Sequence, residues 1–350
     1  MEDYEGRTAL SIAKIKGYEE IVNILKAKGA RDIPIIPLEI VLKSDINEIN
    51  SLIKKGANVN NRYFGGITPL MISAIYNDHE LADFLIKNKA IISLKSQYEI
   101  YGFLTKVDSL NFGRSIKKNI KSKSSLEFFN NKVNKNKGFR PINVDSLMLA
   151  SELNSYKVAK LLLDNGADVN AKGADNKSVL MRPAATNYLN MARLLIKNGA
   201  DINLREDEDF MTALMAASFY NSFEVAQLFI KKGADVNARI KDGSTALMIA
   251  VQKNYFKMVK LLIDNGADVN VSTKNRYDEN GSFYSITPLM AAVEIYSIEI
   301  ARLLIESGAD IFAENEKGET ALTLARRYQD IEIMKMLEDK LNQKNFTTRD

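Results

Sequence analysis

The sequence predicts an all-α fold, an α-solenoid of about nine helix-turn-helix repeats joined by β-hairpin loops. The decapeptide LLLDNGADVN at Leu161–Asn170 returns as LLIDNGADVN at Leu261–Asn270. The glycines at 166, 199, 233 and 266 follow one another at a spacing of about 33 residues. Such a period is typical of a repeat array, in which each repeat buries its apolar face against its neighbours.

A second set of positions recurs in phase with these glycines. The apolar segment TALMIA begins at Thr245 and precedes Gly266 by the same interval that separates Thr212 from Gly233. Similar segments begin at Thr8, Thr68, Asp145, Ser178, Thr212, Thr245, Thr287 and Thr320. The glycine motif recurs, in full or weakened form, at Gly29, Gly56, Gly166, Gly199, Gly233, Gly266 and Gly308, and Lys89 takes its place once. Two sets of positions in fixed phase define one repeat.

Each repeat carries the signals of two short helices. The Thr, Ser or Asp that opens the apolar segment is a favourable helix N-cap. The glycine ends the second helix as a left-handed cap. Most of the circumference of the second helix is apolar, so neighbouring repeats have to cover it. Between the two helices an asparagine recurs, for which we expect left-handed backbone, at Asn77, Asn154, Asn187, Asn221 and Asn254.

These motifs resemble the ankyrin repeat family, whose repeat reads approximately T-P-L-H-x-A-A, a turn, an apolar helix and G-A-D-V-N. The resemblance covers nearly all of the chain except about residues 92–140. Two departures are a shortened repeat from Ile35 to Gly56, and Pro183, which we expect to kink or shorten its first helix. Methionines, which we interpret as core residues, replace the family's histidine at Met71, Met148, Met181, Met215, Met248 and Met290.

The phase of the repeats divides the chain into four segments. Residues 1–90 hold repeats 1–3, residues 91–141 form an insertion in one inter-repeat loop, residues 142–341 hold repeats 4–9, and residues 342–350 are a polar tail. The chain opens directly on a repeat, so we expect a further segment upstream of Met1. Its richness in lysine, isoleucine and asparagine is compatible with a bacterial, AT-rich genome.

The insertion from Ile91 to Pro141 is strongly basic. Its eleven Lys and Arg residues outnumber three Asp and Glu residues, which gives +8, so the remainder of the +4 chain carries −4. This charge favours docking to nucleic acid or to an anionic membrane as an alternative function. A solvated loop without a ligand and a degenerate tenth repeat are the other interpretations.

The composition excludes most catalytic chemistry. The absence of cysteine removes disulfides, thiolate metal sites and cysteine nucleophiles. The single histidine, His79, has no second histidine with which to form a metal site or a triad. The aspartates of the G-A-D motifs stand alone at separate turns, where calcium would need clustered ligands. Glycine motifs that bind nucleotides or hold a nucleophile are missing in a usable context. We therefore predict no enzyme, no cofactor and no metal.

The resemblance implies that a partner protein binds along the hairpin tips and the concave face of the first helices. We expect a monomer that acts in the cytoplasm, or one that is secreted or delivered into a host by a signal outside this sequence. Regulation of a larger protein is a further alternative. Aromatic residues, which commonly form binding hot spots, are frequent among the predicted contact residues: Tyr63, Phe64, Tyr76, Phe210, Phe219, Tyr220, Lys241, Asp242, Gln252, Lys253, Phe283, Tyr284, Arg327 and Tyr328.

Overall fold

The computed structural model describes residues 9–30, 34–96, 144–173, 177–206, 210–277 and 283–347. The chain divides into two compact units. Unit 1 comprises Met1–Val179 with Leu194–Ala200, and unit 2 comprises Leu180–Arg193 with Asp201–Asp350. In the described residues of both units, short helices follow one another as pairs. This confirms the all-α repeat architecture that the sequence predicts.

Unit 1 contains four helix pairs in its described residues. Within these pairs the first helices α5 and α7 pack side by side, and so do the second helices α6 and α8. The helices are α1 (Ala9–Ile15), α2 (Glu19–Ala27), α3 (Leu38–Lys43), α4 (Ile46–Lys54), α5 (Pro69–Tyr76), α6 (His79–Lys87), α7 (Ser146–Glu152) and α8 (Tyr156–Asp164).

Unit 2 continues the same alternation. Its helices are α9 (Met181–Thr186), α11 (Ala213–Tyr220), α12 (Phe223–Lys231), α13 (Ala246–Gln252), α14 (Phe256–Asp264), α15 (Pro288–Glu294), α16 (Ile298–Glu306), α17 (Ala321–Arg327) and α18 (Ile331–Thr347). Helix α10 (Leu189–Lys197) begins in unit 2 and ends in unit 1. The first helices α11, α13, α15 and α17 pack against one another in that order.

Six of the first helices start at a predicted N-cap, whereas Ser178 does not cap its helix and Thr8 lies outside the described residues. The hydroxyl of Thr245 accepts a hydrogen bond of 3.3 Å from the amide of Met248. Thr68, Thr212 and Thr287 cap their helices in the same way, and Asp145 accepts from Met148 at 2.9 Å. At Thr320 the bond is reciprocal, because the Thr323 hydroxyl also accepts from the Thr320 amide. Each cap contributes about 1 kcal/mol.

The predicted left-handed residues are confirmed. The five asparagines between the helices have φ angles of 53° to 57°. Ser44, Tyr296 and Gln329 adopt the same conformation at the equivalent place in other repeats. The glycines that end the second helices have φ angles of 84° to 94°, and Lys89 replaces one of them at 68°. These turns fix the angle at which each second helix folds back on the first.

The core forms where helix pairs meet. All eight residues of α5 are buried, and so are Ala246–Val251 of α13. The second helix α14 buries only Met258, Val259 and Leu262, which lie on one flank. Of the six methionines in register, Met181 is half-buried and the other five are buried, as predicted for core residues.

The final asparagine of the G-A-D-V-N motif links consecutive repeats. The Asn237 amide donates to the Gly266 carbonyl at 2.9 Å, while its oxygen accepts from the Asp268 amide at 2.8 Å. Asn203 and Asn270 make the same two bonds with the repeats that follow them. The aspartates of these motifs accept a backbone amide two residues later in their own turn, as at Asp268. These aspartates therefore act as turn residues.

Pro183 shortens its helix, as predicted. Helix α9 begins at Met181, two residues later than in a regular repeat, and its N-cap is Leu180 in place of Ser178. Pro183 therefore lies in the first turn, where a missing amide costs no helical hydrogen bond. The carbonyl of Val179 accepts the hydroxyl of Ser151 at 2.7 Å instead of a helix amide.

The predicted β-hairpin loops form strands at one place in the described residues. Strand β1 (Thr273–Tyr277) pairs antiparallel with β2 (Phe283–Ile286), with a bulge between Lys274 and Arg276. In regular loops the hairpin reduces to a tight turn closed by one backbone bond. An example is the bond of 3.0 Å from the Ile240 amide to the Ser244 carbonyl. The residues that flank such a turn make this one ladder bond, and one bond does not make a pair of strands.

The long insertion leaves this frame intact. The Ser96 amide donates to the Val144 carbonyl at 2.9 Å, which is the bond that closes the turn in a regular repeat. The segment between these two residues lies outside the described structure. It stands in place of a three-residue turn such as Lys241–Gly243.

We predict that neutralising the cap at Asp145 stabilises the protein at neutral pH. Burial raises the pKa of this carboxyl, although the amides of Met148 and Leu147 and the charge of Lys95 act in the opposite direction. The folded-state pKa of Asp145 lies above the ordinary value of 3.8. The free energy of unfolding therefore falls as the pH rises from that ordinary value through the folded-state pKa. Urea unfolding of Asp145→Thr should therefore show greater stability than the wild type at pH 7, and the difference should shrink as the pH approaches 4.

Asp145→Asn is the matched control, because it keeps the size of the side chain and removes the charge. It should behave like the threonine variant. If both variants are less stable than the wild type at pH 7 by an amount that does not change with pH, the charged carboxylate stabilises the cap and the prediction is wrong.

Candidate protein-binding surface

Two of the predicted contact residues are buried in unit 1. The hydroxyl of Tyr63 donates to the Ile36 carbonyl at 2.7 Å, and its backbone amide closes a hairpin turn with Ile67. Tyr76 and Leu153 occupy equivalent positions at the ends of α5 and α7, and both are buried. The interior of the array therefore holds Tyr63 and Tyr76, which corrects their assignment to the contact surface. The side chains of Phe64 and Phe283 lie outside the described part of the structure.

The exposed aromatic residues of the prediction cluster in unit 2. Phe219 and Tyr220, the last two residues of α11, are 40% and 58% exposed. Their rings meet edge to face, with centroids 5.0 Å apart. Lys253, which follows α13, holds its ammonium 4.2 Å from the centroid of the Phe219 ring. Because α11 and α13 pack side by side, residues of consecutive repeats form one surface.

A further aromatic pair lies at the same ends of the next first helices. Tyr328, which follows α17, is half-buried, and its ring lies 5.9 Å from that of Tyr296. The prediction omitted Tyr296, which is 57% exposed. It occupies the left-handed turn position that asparagine holds in other repeats, and this substitution was the signal that could have identified it. We name Phe219, Tyr220, Lys253, Tyr296 and Tyr328 the aromatic edge.

The hairpin tips of unit 2 repeat the pairing of lysine with an aromatic ring. The Lys241 ammonium lies 5.5 Å from the centroid of the Phe210 ring, and that of Lys317 lies 4.2 Å from the Tyr284 ring. The Ser285 amide and hydroxyl both donate to Glu316, at 2.6 and 2.7 Å, which fixes β2 against the next tip. In each pair the lysine comes from the repeat after the aromatic residue. Such contacts contribute about 0.5–1 kcal/mol at exposed sites.

The remaining predicted residues serve the frame of the repeats. Asp242 accepts the Ser244 amide at 2.7 Å inside its turn. The exposed Arg327 forms a salt bridge with Glu319, whose side chain is largely buried. Gln252 ends α13 beside Lys253, and its buried side-chain nitrogen has no hydrogen-bond partner among the described residues. These residues support the backbone beneath the candidate binding surface and add little contact area to it.

Among the described residues, no other group of side chains indicates a catalytic or metal-binding site. They contain no group of three or more histidine, cysteine, aspartate or glutamate side chains placed to hold a metal ion. His79 is the first residue of α6, where the N-cap is Asp78. Among the described helices, none combines the length and the apolar character that crossing a bilayer requires.

A comparison with protein-family models decides the family. The ankyrin repeat model matches residues 65–97, and the model of several consecutive ankyrin repeats matches 119–206, 180–273 and 274–350. Together these matches cover well over half of the chain. The chain belongs to the ankyrin repeat family. No curated protein shows significant similarity to it.

Ankyrin repeats are generally protein–protein interaction modules, and ankyrin repeat proteins are typically non-enzymatic scaffolds. In this ankyrin protein, unit 2 presents exposed aromatic rings at the ends of packed helices. The match at 119–206 begins inside the segment that the repeat phase assigns to the insertion.

Proposed function

We propose that this ankyrin protein is a non-catalytic scaffold that binds a partner protein along the aromatic edge of unit 2. The observation that carries the proposal is the contrast within α11. Residues Ala213–Ser218 are buried, whereas Phe219 and Tyr220 at the end of the same helix are exposed. The backbone of these two rings is thus fixed before a partner arrives.

Such preorganisation favours binding because little conformational entropy remains to be lost. Tyrosine and phenylalanine offer a large contact area with few rotatable bonds. The tips that carry Phe210 with Lys241 and Tyr284 with Lys317 extend the contact surface in the same unit. Their ammonium groups allow the surface to pair with carboxylates of the partner.

We predict that Phe219→Ala with Tyr220→Ala removes the partner. The immobilised wild type and the double variant would be compared for proteins captured from a cell extract, by quantitative mass spectrometry. A partner that uses this edge should be depleted at least about tenfold, since truncating one hot-spot residue costs more than about 1 kcal/mol.

The matched control is Phe256→Ala with Ile331→Ala, which truncates two exposed apolar side chains on the second helices α14 and α18. This variant should retain the partner. If the two double variants capture the same proteins as the wild type, the partner does not use the aromatic edge.

Docking to a polyanion through residues 91–141 is the second candidate function, and it is supported by the charge of +8 in that segment. The Ser96–Val144 bond permits a clean test, because a regular turn can replace the segment without changing the hairpin. The variant has residues 97–143 exchanged for Lys-Asp-Gly, the sequence of residues 241–243.

We predict that duplex DNA or phosphatidylserine vesicles bind the full chain with an affinity that falls steeply with salt, because binding releases counterions. Fluorescence anisotropy would measure binding to the duplex DNA, and sedimentation would measure binding to the vesicles. The exchange variant should bind neither polyanion. Equal binding by both chains would exclude the insertion as the docking segment.

A further inference from the structure

One charged residue lies in an otherwise uncharged row at the ends of the first helices of unit 2. In four consecutive repeats, the residue directly before the left-handed turn is Tyr220, Lys253, Ile295 and Tyr328. Tyr220 and Lys253 are exposed, while Ile295 and Tyr328 are half-buried. We name these four residues the edge row. Because α11, α13 and α15 pack in that order, Tyr220 and Ile295 flank Lys253 from the neighbouring repeats.

The ammonium of Lys253 keeps hydrogen-bond donors for a partner. It lies 4.2 Å from the centroid of the Phe219 ring, and it forms no salt bridge with a described residue. An ammonium carries three N–H donors, and one ring face does not accept all of them. The ring therefore holds the charge in place without neutralising it.

The contact between Lys253 and Phe219 also disfavours a basic partner. The faces of aromatic rings attract cations, so exposed rings alone would suit a partner rich in lysine or arginine. Here the chain's own lysine already lies over the ring, and a second cation would meet a like charge. The pair therefore favours an anionic group at this point of the surface.

The charge of Lys253 is opposite in sign to the net charge of its unit. Unit 2 contains 20 Lys and Arg residues against 24 Asp and Glu residues, which gives −4. Glu294, the carboxylate that directly precedes Ile295 of the edge row, is half-buried. An acidic segment thus meets a like net charge on the unit as a whole. Lys253 offers it one defined place to bind.

A carboxylate fits this place better than a phosphate. Arginine, with its fork of donors, is the residue favoured for binding phosphate. Both arginines at the end of α17 are engaged, because Arg326 forms a salt bridge with Glu338 at 3.0 Å and Arg327 forms one with Glu319. The single ammonium of Lys253 matches the single charge of an aspartate or glutamate side chain.

We propose that Lys253 determines the specificity of the aromatic edge, by pairing with an Asp or Glu side chain that apolar residues flank in the partner. This inference rests on the proposed function, since it names the kind of segment that the aromatic edge binds. Packed helices lie about 8–10 Å apart, and an extended segment covers that distance in about three residues. The apolar residues that contact Tyr220 and Ile295 therefore lie about three residues before and after the carboxylate.

Selection from a displayed library tests the pairing, with random peptides of about sixteen residues, which span the edge row when extended. The wild type should enrich peptides that carry Asp or Glu between apolar residues. Lys253→Glu should reverse the preference and enrich Lys or Arg at the same place, because like charges repel. Phe219→Ala with Tyr220→Ala should enrich neither set, since the rings supply apolar contact area.

The most enriched acidic peptide would then be compared with its amide form, in which Gln replaces Glu or Asn replaces Asp. By fluorescence anisotropy, the acidic form should bind the wild type at least about tenfold more tightly than the amide form. Lys253→Met keeps an apolar stem beside Phe219 and removes the charge, so it should bind both forms equally. Lys257→Met, which removes an exposed lysine on α14 of the same repeat, is the matched control and should keep the tenfold difference.

Two results would overturn the inference and leave the proposed function standing. One is a wild-type selection that depends on Phe219 and Tyr220 but does not enrich Asp or Glu over the starting library. The other is a Lys253→Met variant, folded by circular dichroism, that still prefers the acidic form. Equal enrichment of the same peptides by the wild type and by Phe219→Ala with Tyr220→Ala would contradict the proposed function, and this inference with it.

Discussion

One asparagine side chain holds each pair of regular consecutive repeats at a fixed spacing. Its amide donates to the glycine carbonyl of the next repeat and its oxygen accepts an aspartate amide there, as Asn237 does with Gly266 and Asp268. Each neutral hydrogen bond contributes about 1 kcal/mol, whereas each large apolar side chain that a repeat buries contributes about 1.5–3 kcal/mol. Burial thus supplies most of the stability. The asparagine sets the register in which that burial occurs.

The candidate binding surface is a consequence of this register. Phe219 and Lys253 belong to consecutive repeats, and they meet because α11 and α13 are held side by side. The same repeat-to-repeat relation brings Lys241 to Phe210 and Lys317 to Tyr284. The frame residues are locked by caps and turns, so the side chains at helix ends are free to vary. A protein-binding function fits a molecule whose regular spacing presents variable exposed groups.

The sequence was sufficient for features that depend on one repeat at a time. Thr245 as an N-cap, Asn254 in a left-handed turn and the late start of α9 at Pro183 all follow from local backbone chemistry. Contacts between repeats were harder to predict. Tyr76 and Tyr220 occupy the same position of the repeat, yet Tyr76 is buried and Tyr220 is exposed. That difference depends on neighbours far away in the sequence, which the period of the repeat does not describe. The number of strands was overestimated, because a regular loop such as that around Lys241 makes one ladder bond and no longer pairing.

Hydrogen exchange of the Asp268 amide, measured by NMR, tests the register claim most directly. In the wild type this amide should be protected, although it lies in an exposed turn, because Asn237 accepts its hydrogen bond. Asn237→Ala should expose it, while the Asn270 amide, which donates to Asp268 within the same turn, should keep its rate. An Asp268 amide that exchanges at the same rate in both proteins would show that the asparagine does not hold consecutive repeats in register.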